Sequence, residues 1–261
     1  MKTSKIRKMV QIGLVAAVAV MASLAGVQAA VIADWQFSSN ETLTTDSSGN
    51  GYTLSNTGVT WSASDGGSAV FNGSAMLNTV ATLNLTPYTQ ITIEWGMKTT
   101  QTAGAIIWEQ SPNAYTTPNG LYSAINDSPG VGTIDVLANR GDAPAPVAGA
   151  PVIGYTTVPD ASLHTYKLIV SGTTTGAGQI TLFKDAVDVT GTYFGVFTPN
   201  GFTQTFLNDT FNIGARTGVV APFVGSMDYL TVSAVPEPST WAMAAVGLTV
   251  LVTMRRRRIR D

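Results

Sequence analysis

Residues 91–97, Ile-Thr-Ile-Glu-Trp-Gly-Met, alternate apolar and polar positions over their whole length. Period two is the signature of a half-buried strand. Ile91, Ile93, Trp95 and Met97 are expected on a core face, and Glu94 toward water or a groove. Shorter segments of the same type recur at 31–37, 52–54, 105–109, 121–125, 132–137, 165–170, 179–183, 211–214 and 225–232. Two more, 69–71 and 75–77, flank Asn72-Gly73, a strong two-residue hairpin signal. Asp46-Ser-Ser-Gly-Asn-Gly51 is a concentrated turn signal, and the Ala-, Pro- and Gly-rich 142–151 reads as a surface loop. About a dozen strands at this spacing, with no internal repeat, predict an all-β, two-sheet antiparallel sandwich.

Both ends break the pattern. Lys2, Lys5, Arg7 and Lys8 precede an apolar stretch over 9–26 and then Val27-Gln28-Ala29. This is the layout of a secretory signal peptide, with cleavage expected after Ala29. At the other end, 241–254 carries no charge, and Arg255, Arg256, Arg257, Arg258 and Arg260 follow it. Fourteen residues at helical rise cover roughly 21 Å, short of the ~20 residues that usually span a bilayer core. Trp241 at one interface and snorkelling arginines at the other make up the difference. The arginines put that end in the cytoplasm by the positive-inside rule, and the body of the protein outside. Pro236-Glu237-Pro238 precedes the helix. Proline fixes its own φ and restricts its neighbour, so this segment is expected to be extended and exposed. The organisation expected is a signal peptide over 1–29, a sandwich domain over 30–234 and a tail over 235–261.

Charge sharpens this division. The chain has 14 Lys+Arg and 16 Asp+Glu, but between residues 30 and 234 five basic residues face fourteen acidic ones, a net charge near −9. An acidic domain is a poor ligand for nucleic acid, whose phosphates need Lys and Arg. The chain has no cysteine, so the domain rests on its apolar core, which about 200 residues can supply.

The order Pro-Glu-Pro, short apolar helix, basic cluster over 235–261 resembles the PEP-CTERM sorting signal of exported bacterial proteins. The resemblance implies passage through the secretion machinery, transient anchoring in the inner membrane, removal of the tail by an exosortase, and delivery to the cell surface or the extracellular matrix. Across 31–233, the ordered segments Asp34-Trp-Gln-Phe37, Asp46–Gly51, Ala69–Gly73, 91–97, Leu163–Leu168, 179–185, Phe211–Ala215 and Phe223–Asp228 resemble the laminin-G-like, concanavalin-A-like jelly roll. Two departures stand out: Ala186 where that family has Gly in an Asp-Gly hairpin, and Leu163 where it has Trp before His164. Members bind glycans or proteins, some hold calcium, and related jelly rolls include glycoside hydrolases and polysaccharide lyases.

The chemistry is sparse. A retaining glycosidase needs two carboxylates about 5–5.5 Å apart, and no strand carries acidic residues at i and i+2 or i+4. No catalytic residue and no enzymatic activity are expected. His164 is the single histidine and reads as a strand-start residue hydrogen-bonded locally. Calcium is the one metal worth carrying, since it wants six to eight oxygens. Asp34 and Asp228, on the first and last strands, with Asp46 and Asn50 in an oxygen-rich loop, are the candidate ligands; the alternative is that Asp46 and Asn50 simply cap turns. No other cofactor is expected. Tyr115, Tyr122, Tyr155 and Asn126 are the candidate glycan contacts. The leading expectation is a non-enzymatic exported protein that binds polysaccharide or another surface component. The alternatives are a purely structural or adhesive matrix protein and a glycan-active enzyme.

Overall fold

The computed structural model describes residues 29–102, 104–110, 120–125, 133–138, 152–156, 160–172, 180–190 and 205–236. The expected signal and C-terminal helices, Glu237, Pro238, the arginine cluster, Tyr115, Asn126 and the 142–151 loop lie outside them. Ala30–Ala234 forms one compact unit.

Its strands are β1 (Ala30–Gln36), β2 (Leu54–Thr57), β3 (Thr60–Ser62), β4 (Ser68–Asn72), β5 (Met76–Thr79), β6 (Leu83–Asn84), β7 (Tyr88–Lys98), β8 (Ala105–Gln110), β9 (Leu121–Ile125), β10 (Thr133–Ala138), β11 (Val152–Thr156), β12 (His164–Ser171), β13 (Ile180–Lys184), β14 (Val187–Asp188), β15 (Asn208–Asp209), β16 (Phe211–Ile213) and β17 (Val224–Pro236). Among the described residues the one helical element is a 3-10 turn at Ser64–Gly66. An eight-stranded sheet runs β14-β13-β12-β7-β17-β4-β3, with β1 also on β17, and a seven-stranded sheet runs β11-β10-β9-β8-β16-β5-β2. The chain is thus an all-β antiparallel sandwich.

The long alternating segment does what its pattern predicts. Ile91, Ile93 and Trp95 are fully buried and Met97 nearly so. Facing residues from both sheets meet in one core. Its centre is a run of rings: Tyr166 stacks on Trp95, Trp95 meets Trp108 edge-on, and Trp108 stacks on Phe211, which tilts against Trp35, all at centroid distances of 5.4–5.7 Å. Tyr166 and Trp95 come from one sheet and Trp108 and Phe211 from the other. Such pairs add about 0.5–1.5 kcal/mol each beyond the burial of their area.

One expectation fails. Asn72-Gly73 is not a hairpin turn. β4 pairs with β3 and β17, whereas β5 pairs with β2 and β16 in the other sheet. Gly73 takes the positive φ that its type allows, +84°, but its N–H donates to Phe223 O rather than closing a turn. The dipeptide carries the chain from one layer to the other. Strands β3, β6, β14 and β15 are too short to leave a periodic signal and go unmarked in the sequence reading.

Candidate functional site

β7, β12 and β13 lie side by side, and their register aligns Glu94 with Lys167 and Lys167 with Phe183. Tyr166, Leu168 and Val170 point into the core, so the alternate positions Thr165, Lys167 and Ile169 point away from it. Lys167 Nζ donates to Glu94 Oε1 at 2.7 Å, with the two side chains 45% and 40% exposed. Tyr229 of β17 closes in from the other side. It can do so because Gly96 has no side chain: a Cβ there would lie 2.8 Å from the tyrosine ring.

The result is an open groove of about 490 Å³ lined by Glu94, Thr165, Tyr166, Lys167, Ile169, Phe183, Ala186 and Tyr229. Burial, then the carboxylates of Glu94 and Asp228, hold the Tyr229 phenol above its usual pKa. Like any tyrosine hydroxyl at neutral pH it is protonated and can both donate and accept. The lining combines an ion pair, the hydroxyl-bearing Thr165, Tyr166 and Tyr229, and the aromatic side chains of Tyr166, Phe183 and Tyr229. Glu94 is the one carboxylate among these described lining residues.

One rim is the turn between β13 and β14. Asp185 and Ala186 sit there with φ of +50° and +64°, so the Asp-Ala turn holds the positive-φ geometry that glycine takes without strain. His164 anchors it. Its Nδ1 lies 2.7 Å from Asp185 Oδ2, and its Nε2 lies 3.2 Å from Asp160 Oδ1. Thr165 N–H donates to Asp185 Oδ1 at 2.9 Å. Burial works against the ionised Asp185, but the Thr165 backbone and His164 outweigh it and hold the carboxyl below its ordinary range. His164 is hydrogen-bonded within its own neighbourhood, as the sequence suggests.

The four candidate calcium ligands lie along β1, the loop after it and β17. Asp46 Oδ1 accepts from the N–H groups of Asp34 and Ser48, and Oδ2 from Tyr52 N–H. Asp34 Oδ1 accepts from Gln36 Nε2 and Thr231 Oγ1, both at 2.7 Å. Asn50 Nδ2 donates to the carbonyls of Val31 and Ile32. The Asp228 carbonyl accepts from Phe37 N–H. The Asp46 carboxylate, Asp34 Oδ1, the Asn50 amide nitrogen and the Asp228 backbone carbonyl thus fasten the loop to β1 and β1 to β17. Among the described residues no group of three or more His, Cys, Asp and Glu side chains is placed to hold a metal ion.

Of the glycan candidates, Tyr122 is buried at 6% exposure within β9. Register aligns Asn78, Asn212, Glu109 and Tyr122 in one row across the seven-stranded sheet. Tyr155 lies on β11 opposite Ile134, three positions along β10 from the Leu137 that faces Tyr122, so the two tyrosines occupy different rows. The row is covered. Arg216 Nε donates to the fully buried Glu109 at 3.1 Å, Asn212 Nδ2 donates to Thr217 Oγ1, and Ala221 packs against Ile106, Tyr122 and Ala124. A buried pair of this kind is costly to break, about 3–5 kcal/mol when one partner is removed. Its role is to hold the 216–221 segment down. Among the described residues, the groove on the other sheet is a surface open to a ligand.

Residues 234–258 match the PEP-CTERM protein-sorting motif. No curated protein matches the chain. Solved structures do. Domain 4 of AbnA, a GH43 extracellular arabinanase from Geobacillus stearothermophilus, in complex with arabinotriose, is 16% identical, with 82% of this chain covering 97% of that one at a TM-score of 0.55. The botulinum neurotoxin serotype G binding domain is 9% identical, with 84% and 51% covered at a TM-score of 0.56. A structure of botulinum neurotoxin type C, whose cell entry depends on interaction with two ganglioside molecules, is 10% identical, with 82% and 50% covered at 0.54. The chain spans about half the length of these toxin chains, and at such identities the likeness is one of fold. Sandwich and terminal motif together give the conclusion: the chain carries a PEP-CTERM protein-sorting motif, the address of an exported protein.

Proposed function

We propose that this protein is an exosortase substrate whose β-sandwich, once outside the cell, binds polysaccharide or another surface component without chemically altering it. The observation that carries the binding reading is the groove on the eight-stranded sheet, where aromatic side chains and an exposed ion pair share one open surface. The apolar C–H face of a sugar ring rests on an aromatic face, and its hydroxyls pair with charged groups at the edge. Glycoside hydrolysis needs a second carboxylate opposite the first, and the groove's described lining offers Glu94 alone. The arabinotriose in the arabinanase domain agrees with a sugar-binding use of this kind of sandwich.

The sorting half of the reading follows from the motif at 234–258. The motif would engage the exosortase after export and place the protein on the surface or in the matrix. Expression of the full chain in cells with and without an exosortase tests it. Mass spectrometry of the recovered protein should find the tail gone only where the exosortase is present. The same mass in both hosts would refute it. For binding, the full-length protein in mild detergent is titrated against a panel of polysaccharides; no binding to any of them would favour a structural or adhesive role.

A further inference from the structure

Resting on the binding reading above, we infer that the groove selects neutral, hydroxyl-rich sugar chains, and that the Glu94–Lys167 pair is the element that reads them.

Lys167 is the groove's one cation among the described lining residues, and Glu94 occupies it at 2.7 Å. A uronate or other anionic sugar gains nothing from an ammonium already neutralised unless it displaces Glu94. Its approach is also opposed by a domain of net charge near −9, and like charge across an interface is a strong form of rejection. A cationic amino-sugar chain is drawn by that same field, but in the groove it meets an ammonium and must displace Lys167 to reach Glu94. A neutral diol is not opposed by the domain's charge, and it can part the pair without ejecting either ion. One hydroxyl donates to the carboxylate while its neighbour accepts from the ammonium, so both ions keep a partner of the right polarity.

The pair is well suited to such exchange. Both side chains are more than one-third exposed, and exposed pairs of this type add little to stability. Opening it for a ligand is correspondingly cheap. Phe183 stands next to Lys167 in the cross-strand row, and Tyr229 rests against Gly96 on β7, the strand that also carries Glu94. The polar reader thus lies among aromatic side chains. That order suits a sugar, with its apolar face and equatorial hydroxyls, better than a peptide or a lipid chain.

The test uses the full-length protein in mild detergent. It is titrated at low and physiological salt against neutral polymers (glucan, mannan, galactan, arabinan), polyuronates (alginate, polygalacturonate) and a cationic polymer (chitosan). The expected result is binding to at least one neutral polymer with little salt dependence. That binding should weaken about tenfold or more in Phe183→Ala and in Tyr229→Ala. It should also weaken in Glu94→Ala and in Lys167→Met, each of which leaves one ion without its bridging diol. Circular dichroism and melting temperature establish that the variants are folded. Preference for a polyuronate or for chitosan, fading with salt, overturns the inference and leaves the polysaccharide reading standing. Neutral binding that ignores all four substitutions places the sugar elsewhere and also overturns it. No binding to any polymer overturns the inference and the polysaccharide reading together.

Discussion

Lys167 and Glu94 face each other across β12 and β7 with 2.7 Å between nitrogen and oxygen, yet both side chains stay in solvent. Exposed pairs contribute about 0–1 kcal/mol. Lys167→Met should therefore move the melting temperature by no more than about 4 °C in a domain of this size. A larger fall in a thermal melt would assign the pair to the scaffold and not to the groove's ligand.

Asp46 is the opposite case. Burial alone would raise its pKa, but hydrogen bonds from the Ser48 side chain and from the backbone N–H groups of Ser48, Asp34 and Tyr52 outweigh it, and the carboxyl lies below its ordinary value. A depressed carboxylate pKa stabilises the fold above the unfolded value, near pH 4, and that contribution fades as pH falls through the lower folded value. Asp46→Ala should destabilise by roughly 2–3 kcal/mol at neutral pH and flatten the acid limb of stability against pH. Urea melts at pH 7 and pH 3 check both; an unchanged acid limb would dismiss Asp46 as its source.

Ala186 sits at φ +64° beside Asp185 at +50°. The left-handed region is strained for any residue with a Cβ, by roughly 1–2 kcal/mol. Ala186→Gly removes that strain and gives back part of it as unfolded-chain entropy. The expected outcome is a gain of about 0.5–1 kcal/mol in denaturant melts, and the turn should keep its contacts to His164 and Thr165. A loss of stability would mean that the Ala186 methyl makes contacts worth more than the strain.

Gly214 has φ +83°, and a Cβ there would be driven into the ring of Phe71, itself 1% exposed in the core. Gly214→Ala combines backbone strain with overpacking and should destabilise by about 3 kcal/mol or more. Gly96→Ala differs, because the atoms it meets are ring atoms of the half-buried Tyr229 side chain outside the core. That ring can swing away, so the variant should fold and lose ligand binding. A variant that binds normally would remove Tyr229's seat on Gly96 from the site.

The sequence discloses strands wherever a long alternating run decides the face by itself. β7 is the best case: Glu94 is legible as an outward residue from period two alone, and it lines the groove. Phe183, Lys167 and Tyr229 were not legible as its companions. They converge through pairings between strands far apart in the chain, and nothing local to 167, 183 or 229 encodes those neighbours. Asn72-Gly73 teaches the converse. The dipeptide does bend the chain, but whether two strands pair is settled by the rest of the sheet. β17 claims β4 while β16 claims β5, and those longer-range ladders prevail over a local turn preference. The Asp46 loop holds oxygens that the sequence alone fits equally to calcium or to a turn cap, and a donor such as Tyr52 N–H on Asp46 Oδ2 is visible only in three dimensions.

The pairing of Ala30 with Ala234 at the start of the β1–β17 ladder has a mechanical meaning. Force applied to the two ends of the unit would enter at that one rung. It would peel the ladder toward Gln36 and Tyr229 pair by pair, instead of loading all of its hydrogen bonds at once. A sandwich pulled in this way yields by unzipping, at low force, and β1 would be the first strand to leave it.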